Sequence, residues 1–180
     1  MKVWTAQSLE AYEKIVSGKG YTVWEKDEKD DKIFPRSYAW MRRKAVEHGL
    51  TDDGHGLIWF RYRWYDTRRK IDVRTLRKYA DKGQKMVYLT LEVPDDKVLL
   101  VDTCQWECVL SDVPCFDSEE EFDAYDALPE SEQEKFKETS WEKVFEPGSD
   151  GPIEGVFFGI APSMIKAVQF YEGTRTDWSL

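Results

Sequence analysis

The stretch LIWFRYRWY, residues 57–65, packs five aromatic rings and two arginines into nine residues. Ile58, Phe60, Tyr62 and Trp64 fall on one phase of a two-residue repeat, and Trp59, Arg61, Arg63 and Tyr65 on the other. A period of two is the period of a strand, so the phases lie on opposite faces of a sheet. The first phase is expected to face a core. The second makes an aromatic–guanidinium face that can grip a phosphate and stack a base, or pair with acids of the same chain.

Other segments follow the same logic. KVWT, YTVW, MVYLTLEV, VLLVD, IEGVFFGI and IKAVQFY read as strands. SLEAYEKIVSGKG reads as a helix, with Ser8 as N-cap, Leu9, Tyr12, Ile15 and Val16 as its apolar face, and Gly18 as its stop. A second helix spans Pro35 to His48 and ends at Gly49; short helices are expected around Val73–Tyr79 and Gln105–Leu110. FDSEEEFDAYDAL and PESEQEKFKETSWEKVF read as acidic helices, with Pro129 in the first turn of the latter, and EKDEKDDK as a solvated loop. Strands and helices mix without regular βα alternation. The expected fold is therefore α+β: one domain over residues 1–180, a mostly antiparallel sheet, whole or split, and flanking helices that include an acidic segment near 117–145.

With 180 residues, 41% of them hydrophobic and eight of them tryptophan, the chain can bury a real core. It has no apolar run of membrane-spanning length, and MKVWTAQSLEAYEKI is too polar for a secretory signal. A cytoplasmic location without a membrane partner is the expectation. Cys104, Cys108 and Cys115 are odd in number, which suits a reducing compartment. Cys104 and Cys108 could share a helix face, but a metal needs further ligands, and His48 and His55 lie far upstream. Buried structural thiols and no metal are expected.

The formal charge of −9 hides an asymmetry. Residues 61–85 carry ten Lys or Arg against three acids, whereas residues 92–150 carry nineteen acids against four bases. The two segments are expected to attract each other. The basic run of Arg68, Arg69, Lys70, Arg74, Arg77 and Lys78 could also meet an anionic partner. The acidic helices, with Glu119, Glu120, Glu121 and Glu130, offer a surface for a basic protein partner. GxGxxG, P-loop, HExxH, GxSxG and EF-hand motifs are all missing.

KVWTAQSLEAYEKI, SYAWM, LIWFRYRW, IDVR, LEVPDDKVLLVDTCQWECVL, SWEKVF and the closing strand pair together resemble an uncharacterised bacterial family, domain of unknown function 3841. That family implies no activity. A second similarity is to ADP-ribosyltransferase folds: a first strand ending in an aromatic–Thr pair, an immediate helix ending in glycine, and a late strand pair opened by a glutamate. This resemblance implies NAD as the bound nucleotide, Glu154 as the catalytic carboxylate, and Trp4 and Thr5 as ligand contacts. The Arg61/Arg63 face would take phosphates. Trp4 stands where the family has His or Arg. The alternative is a non-enzymatic acidic binding protein, an inhibitor or regulator of a basic or nucleic-acid-binding partner.

Overall fold

The computed structural model describes residues 1–18, 33–52, 54, 56–65, 67–148 and 150–176; YTVW and EKDEKDDK lie outside these. Strand β1 (Lys2–Ser8) runs directly into helix α1 (Leu9–Val16). Ser8 makes the switch, staying extended while its hydroxyl accepts a hydrogen bond from the Ala11 N–H at 3.1 Å. Gly18, at φ +70°, supplies the left-handed residue that ends the helix. Ile15 is buried as expected, whereas Val16 is half exposed, because the helix rests on the sheet along a narrower stripe than the sequence suggests.

Next come α2 (Pro35–Glu47), β2 (Leu57–Arg63), and a short helix α3 (Val73–Leu76) that tightens into a 3-10 turn over Arg77–Tyr79. Strands β3 (Lys85–Glu92) and β4 (Leu99–Asp102) follow. Asp102 then caps α4 (Thr103–Leu110), accepting from the Cys104 and Gln105 amides. The acidic helices are α5 (Glu119–Asp126) and α6 (Glu130–Ser140), the latter running on into a 3-10 turn over Trp141–Phe145. Pro129 sits one residue ahead of α6, at its cap. β5 (Ile153–Phe158) and β6 (Ile165–Glu172) close the chain.

The six strands form one antiparallel sheet in the order β4-β5-β2-β1-β3-β6, an α+β arrangement. Its two halves are unequally joined. Every residue of β1 has a partner in β3, and β2 pairs with β5 along its length, but β1 and β2 share a single register pair, Trp4 with Arg61. The Thr5 hydroxyl reinforces this seam by donating to the Trp59 carbonyl at 2.8 Å. The sheet is hydrogen-bonded throughout yet nearly split between β1 and β2.

Both faces are covered. One carries Val3, Val87, Leu89 and Leu91 with Ile58, Phe60 and Phe157, packed beneath α1. The other is covered at its β4–β5–β2 end by α2, α4 and the Trp141–Phe145 turn, where Trp40, Trp106, Trp141, Val101 and Val156 pack together. Trp141 is fully buried and its indole N–H donates to the Val113 carbonyl at 2.8 Å, so its polar edge is satisfied.

Three expectations are corrected. β2 stops at Arg63, where the register with β5 shifts between Arg61 and Arg63; this bulge takes Trp64 off the core phase and leaves it 48% exposed. The thiols are not all buried: Cys115 is, Cys108 is half-buried and Cys104 is exposed, because α4 turns only one face to the core. Among the described residues no ion pair joins the acidic segment to residues 61–85. Among the described residues its carboxylates meet Arg36 (Asp112, Glu134, Glu138), Lys44 (Glu142), Lys137 (Asp112, Glu134) and Lys143 (Asp117, Glu121), since α2, not the basic segment, lies beside α6.

Gly155 lies in β5 between β2 and β4. A Cβ there would press on the Phe60 ring and sit 2.7 Å from the Leu99 carbonyl oxygen. Gly155→Ala is therefore expected to cost about 1–3 kcal/mol by overpacking. Urea denaturation reads this as a lower midpoint, and an unchanged midpoint would show that the strand interior has room.

Candidate functional site

The pairing registers set one residue from each strand in a single row: Val101, Glu154, Arg61, Trp4, Thr90 and Ala167. All six side chains share the face that α2 and α4 cover at one end. Val101 lies under the helices, and Trp4 and Thr90 are buried at the other end. Between these covered ends a hollow of about 200 Å³ opens beside the seam.

Trp4, Thr5, Trp59, Arg61, Tyr88 and Glu154 line the hollow, and Ile71 and Leu76 form its remaining wall. The segment leading into α3 is thus the roof of one side. Four of the residues singled out from the sequence, Trp4, Thr5, Arg61 and Glu154, meet here. Arg63 does not. Beyond the bulge its guanidinium donates to the Gly148 and Gly151 carbonyls at 2.7 and 3.3 Å, tying down the loop that leads into β5.

Glu154 and Arg61 are the charged pair of the site. Their side chains are 27% and 29% exposed, with 3.8 Å between Oε1 and Nη2, a loose ion pair rather than a closed hydrogen bond. Burial pushes the Glu154 carboxyl above its ordinary range; Arg61 pulls it down, and Glu107 adds a smaller upward push. Arg61 also lies over the Trp64 ring, 4.8 Å from its centre. The Thr5 hydroxyl is fully engaged, donating to Trp59 and accepting from the Gln7 amide at 2.9 Å.

Among the described residues, two buried polar atoms of the lining have no hydrogen-bond partner: Trp59 Nε1 and Tyr88 Oη. Trp59 is held in place by stacking on Trp106, with ring centres 4.8 Å apart, and by the edge of Tyr38. Burial raises the Tyr88 phenol pKa; the Ile71 backbone N–H, near the hydroxyl but outside hydrogen-bond geometry, and Arg61 pull weakly the other way. Unpartnered buried polar groups are uncommon and costly, and here both belong to the wall of a hollow. The hollow thus offers an indole donor, a phenol, a guanidinium and a carboxylate around an apolar floor. Such a set can orient a small polar ring and stabilise positive charge developing near Glu154.

Sequence reasoning missed Tyr88, Ile71 and Leu76. A signal for Tyr88 was present: in MVYLTLEV it shares a phase with Thr90, opposite Val87, Leu89 and Leu91, so it had to leave the main core face. Ile71 and Leu76 gave none, because only the path of the chain brings them over the sheet. Among the described residues, no three His, Cys, Asp or Glu side chains gather so as to hold a metal ion, and no helix is long and apolar enough to cross a membrane.

A family model described as domain of unknown function (DUF3841) matches residues 2–131. The chain belongs to that family. The match takes in β1 to α5 and stops short of SWEKVF, Glu154 and the closing strands. No curated protein and no solved structure matches the chain.

Native Glu154 holds its proton more tightly than the unfolded chain does. The stability it contributes is full below the unfolded value, 4.5, and declines as pH rises through the native value. Glu154→Gln removes that decline. The variant is expected to melt above wild type at about pH 7, with the difference closing towards about pH 4. Melting curves across this range check it, and a gap that widened on acidification would reverse the sign.

Proposed function

We propose that the protein is a nucleotide-binding protein of ADP-ribosyltransferase type, with NAD as substrate and Glu154 as the catalytic carboxylate. What carries the reading is the cross-strand row that sets Glu154 beside Arg61 and Trp4 around one hollow at the seam. At about 200 Å³ the hollow is below the roughly 300–1,000 Å³ of most ligand pockets. It suits the nicotinamide ring and part of its ribose, not a whole dinucleotide; the rest of NAD lies outside, along the basic segment.

The residues divide the work. Trp4 and Trp59 give the ring apolar walls, and the free Trp59 N–H and Tyr88 hydroxyl are available to a carboxamide. Arg61 faces a phosphate or ribose oxygen. Thr5, its hydroxyl engaged, holds β1 to β2 and so keeps the hollow's shape. As the ribose–nicotinamide bond breaks, its electron pair leaves with the ring and positive charge grows on the ribose; ionised Glu154 stabilises that charge and orients the sugar hydroxyls. Because burial holds its proton on, activity is expected to rise with pH through a carboxyl value above the ordinary range.

The test has two parts. NAD or ADP-ribose at about 100 times its dissociation constant should stabilise by roughly 2.7 kcal/mol, a melting shift of about 5–10 °C for a chain this size. Glu154→Gln should keep that shift and lose NAD turnover. No shift at millimolar ligand sinks the reading. If Glu154→Gln left activity intact while reversing Glu119, Glu120, Glu121 and Glu130 abolished it, the acidic helices would be the working surface instead.

A further inference from the structure

The wall of the hollow has an outer side. Residues 61–85 carry a formal charge of +7, and the acidic helices leave it unneutralised, because their ion pairs run to Arg36, Lys44, Lys137 and Lys143. Within the basic segment Arg61 faces Glu154 and Arg74 is held by Asp72. Arg69, Lys78 and Lys82 are exposed, and among the described residues their side chains have no ion-pair or hydrogen-bond partner.

The same segment of the chain shows three large rings to solvent: Trp64 is 48%, Tyr65 53% and Tyr79 72% exposed. Trp64 and Thr67 exchange backbone hydrogen bonds at 2.9 Å, and Tyr65 sits at a left-handed φ of 51°, so a tight turn after the bulge holds both rings outside the core. Tyr79 ends the turn that follows Leu76. Arg61, beneath Trp64, and Leu76, three residues before Tyr79, both line the hollow, so the segment that carries the rings runs past it at both of its ends.

We propose that this rim, with Trp64, Tyr65 and Tyr79 among Arg69, Lys78 and Lys82, binds single-stranded nucleic acid. Fixed cations meet the repeating phosphates, and exposed rings stack on bases whose faces are open only in a single strand. A duplex hides those faces, and an acidic peptide has no bases to stack. The remainder of the chain, at a formal −16 once this segment's +7 is set aside, repels a polyanion elsewhere and confines it to the rim. Binding there needs no reaction in the hollow, so this inference stands apart from the proposed transferase activity.

Fluorescence anisotropy with the full chain and labelled oligo-dT and oligo-U tests it, the two probes separating DNA from RNA. Saturable binding that weakens with salt is expected with at least one probe. Trp64→Ala and Tyr79→Ala should each weaken it about fivefold or more. The double change Arg69→Glu with Lys78→Glu should weaken it about tenfold or more; Arg69, Lys78 and Tyr79 are exposed enough to leave melting unchanged, and Tyr79→Ala carries the ring test independently of Trp64, whose ring rests on Arg61. Absence of saturable binding overturns the proposal. So does equal affinity for a duplex, equal competition by polyglutamate, or sensitivity to the charge changes alone with neither ring mattering.

Discussion

The candidate site depends on strand register. Trp4, Arg61 and Glu154 come from β1, β2 and β5, separated by more than ninety residues between the second and third, and meet only because two pairings set them in one row. Adjacent strands lie about 4.8 Å apart, so the three side chains span roughly 10 Å on one face. Side chains alternate, and a one-residue slip in either pairing would send a member of the row to the opposite face. The bulge between Arg61 and Arg63 comes immediately after the row, which keeps Arg61 in it and diverts Arg63 to the loop before β5.

The seam explains why there is a hollow at all. Where pairing is continuous, as between β1 and β3, side chains of neighbouring strands close against each other. Between β1 and β2 the ladder has a single register pair, and the space beside it is bounded by indoles rather than filled. The indoles are themselves fixed from outside: Trp59 rests on Trp106, which belongs to the core built on Trp40 and Trp141. The helical layer, far from being a separate acidic appendage, is what holds one wall of the hollow rigid.

Charge is organised by the same layer. Arg36 lies over the Trp141 ring, 5.1 Å from its centre, and gathers Asp112, Glu134 and Glu138, while Lys137 reaches Asp112 and Glu134 from α6 itself. Many of the carboxylates that give the chain its low pI are thus answered locally. The basic segment draws none of these carboxylates among the described residues, and Arg69, Lys78 and Lys82 are left without an ion-pair or hydrogen-bond partner there, which a count of charges along the chain could not reveal.

The amino-acid sequence alone determined the elements, because periodicity, caps and breakers are local. The two-residue repeat of LIWFRYR, the Ser8 cap, the stops at Gly18 and Gly49, and the antiparallel strand-rich α+β class were all legible. Trp4, Thr5 and Glu154 were singled out through a resemblance in the order of residues and Arg61 through the aromatic–arginine strand; the shared hollow that gathers them was not legible. Tertiary structure decided what local rules cannot encode: that β1 and β2 are barely paired, that Arg63 leaves the row, that Ile71 and Leu76 roof the hollow with Tyr88 beside them, and that acidic helices choose α2. Each of these is a choice between partners far apart in the chain. Packing of the whole makes it, since the free energy separating one partner from another lies in burial and register, not in the residues' own propensities.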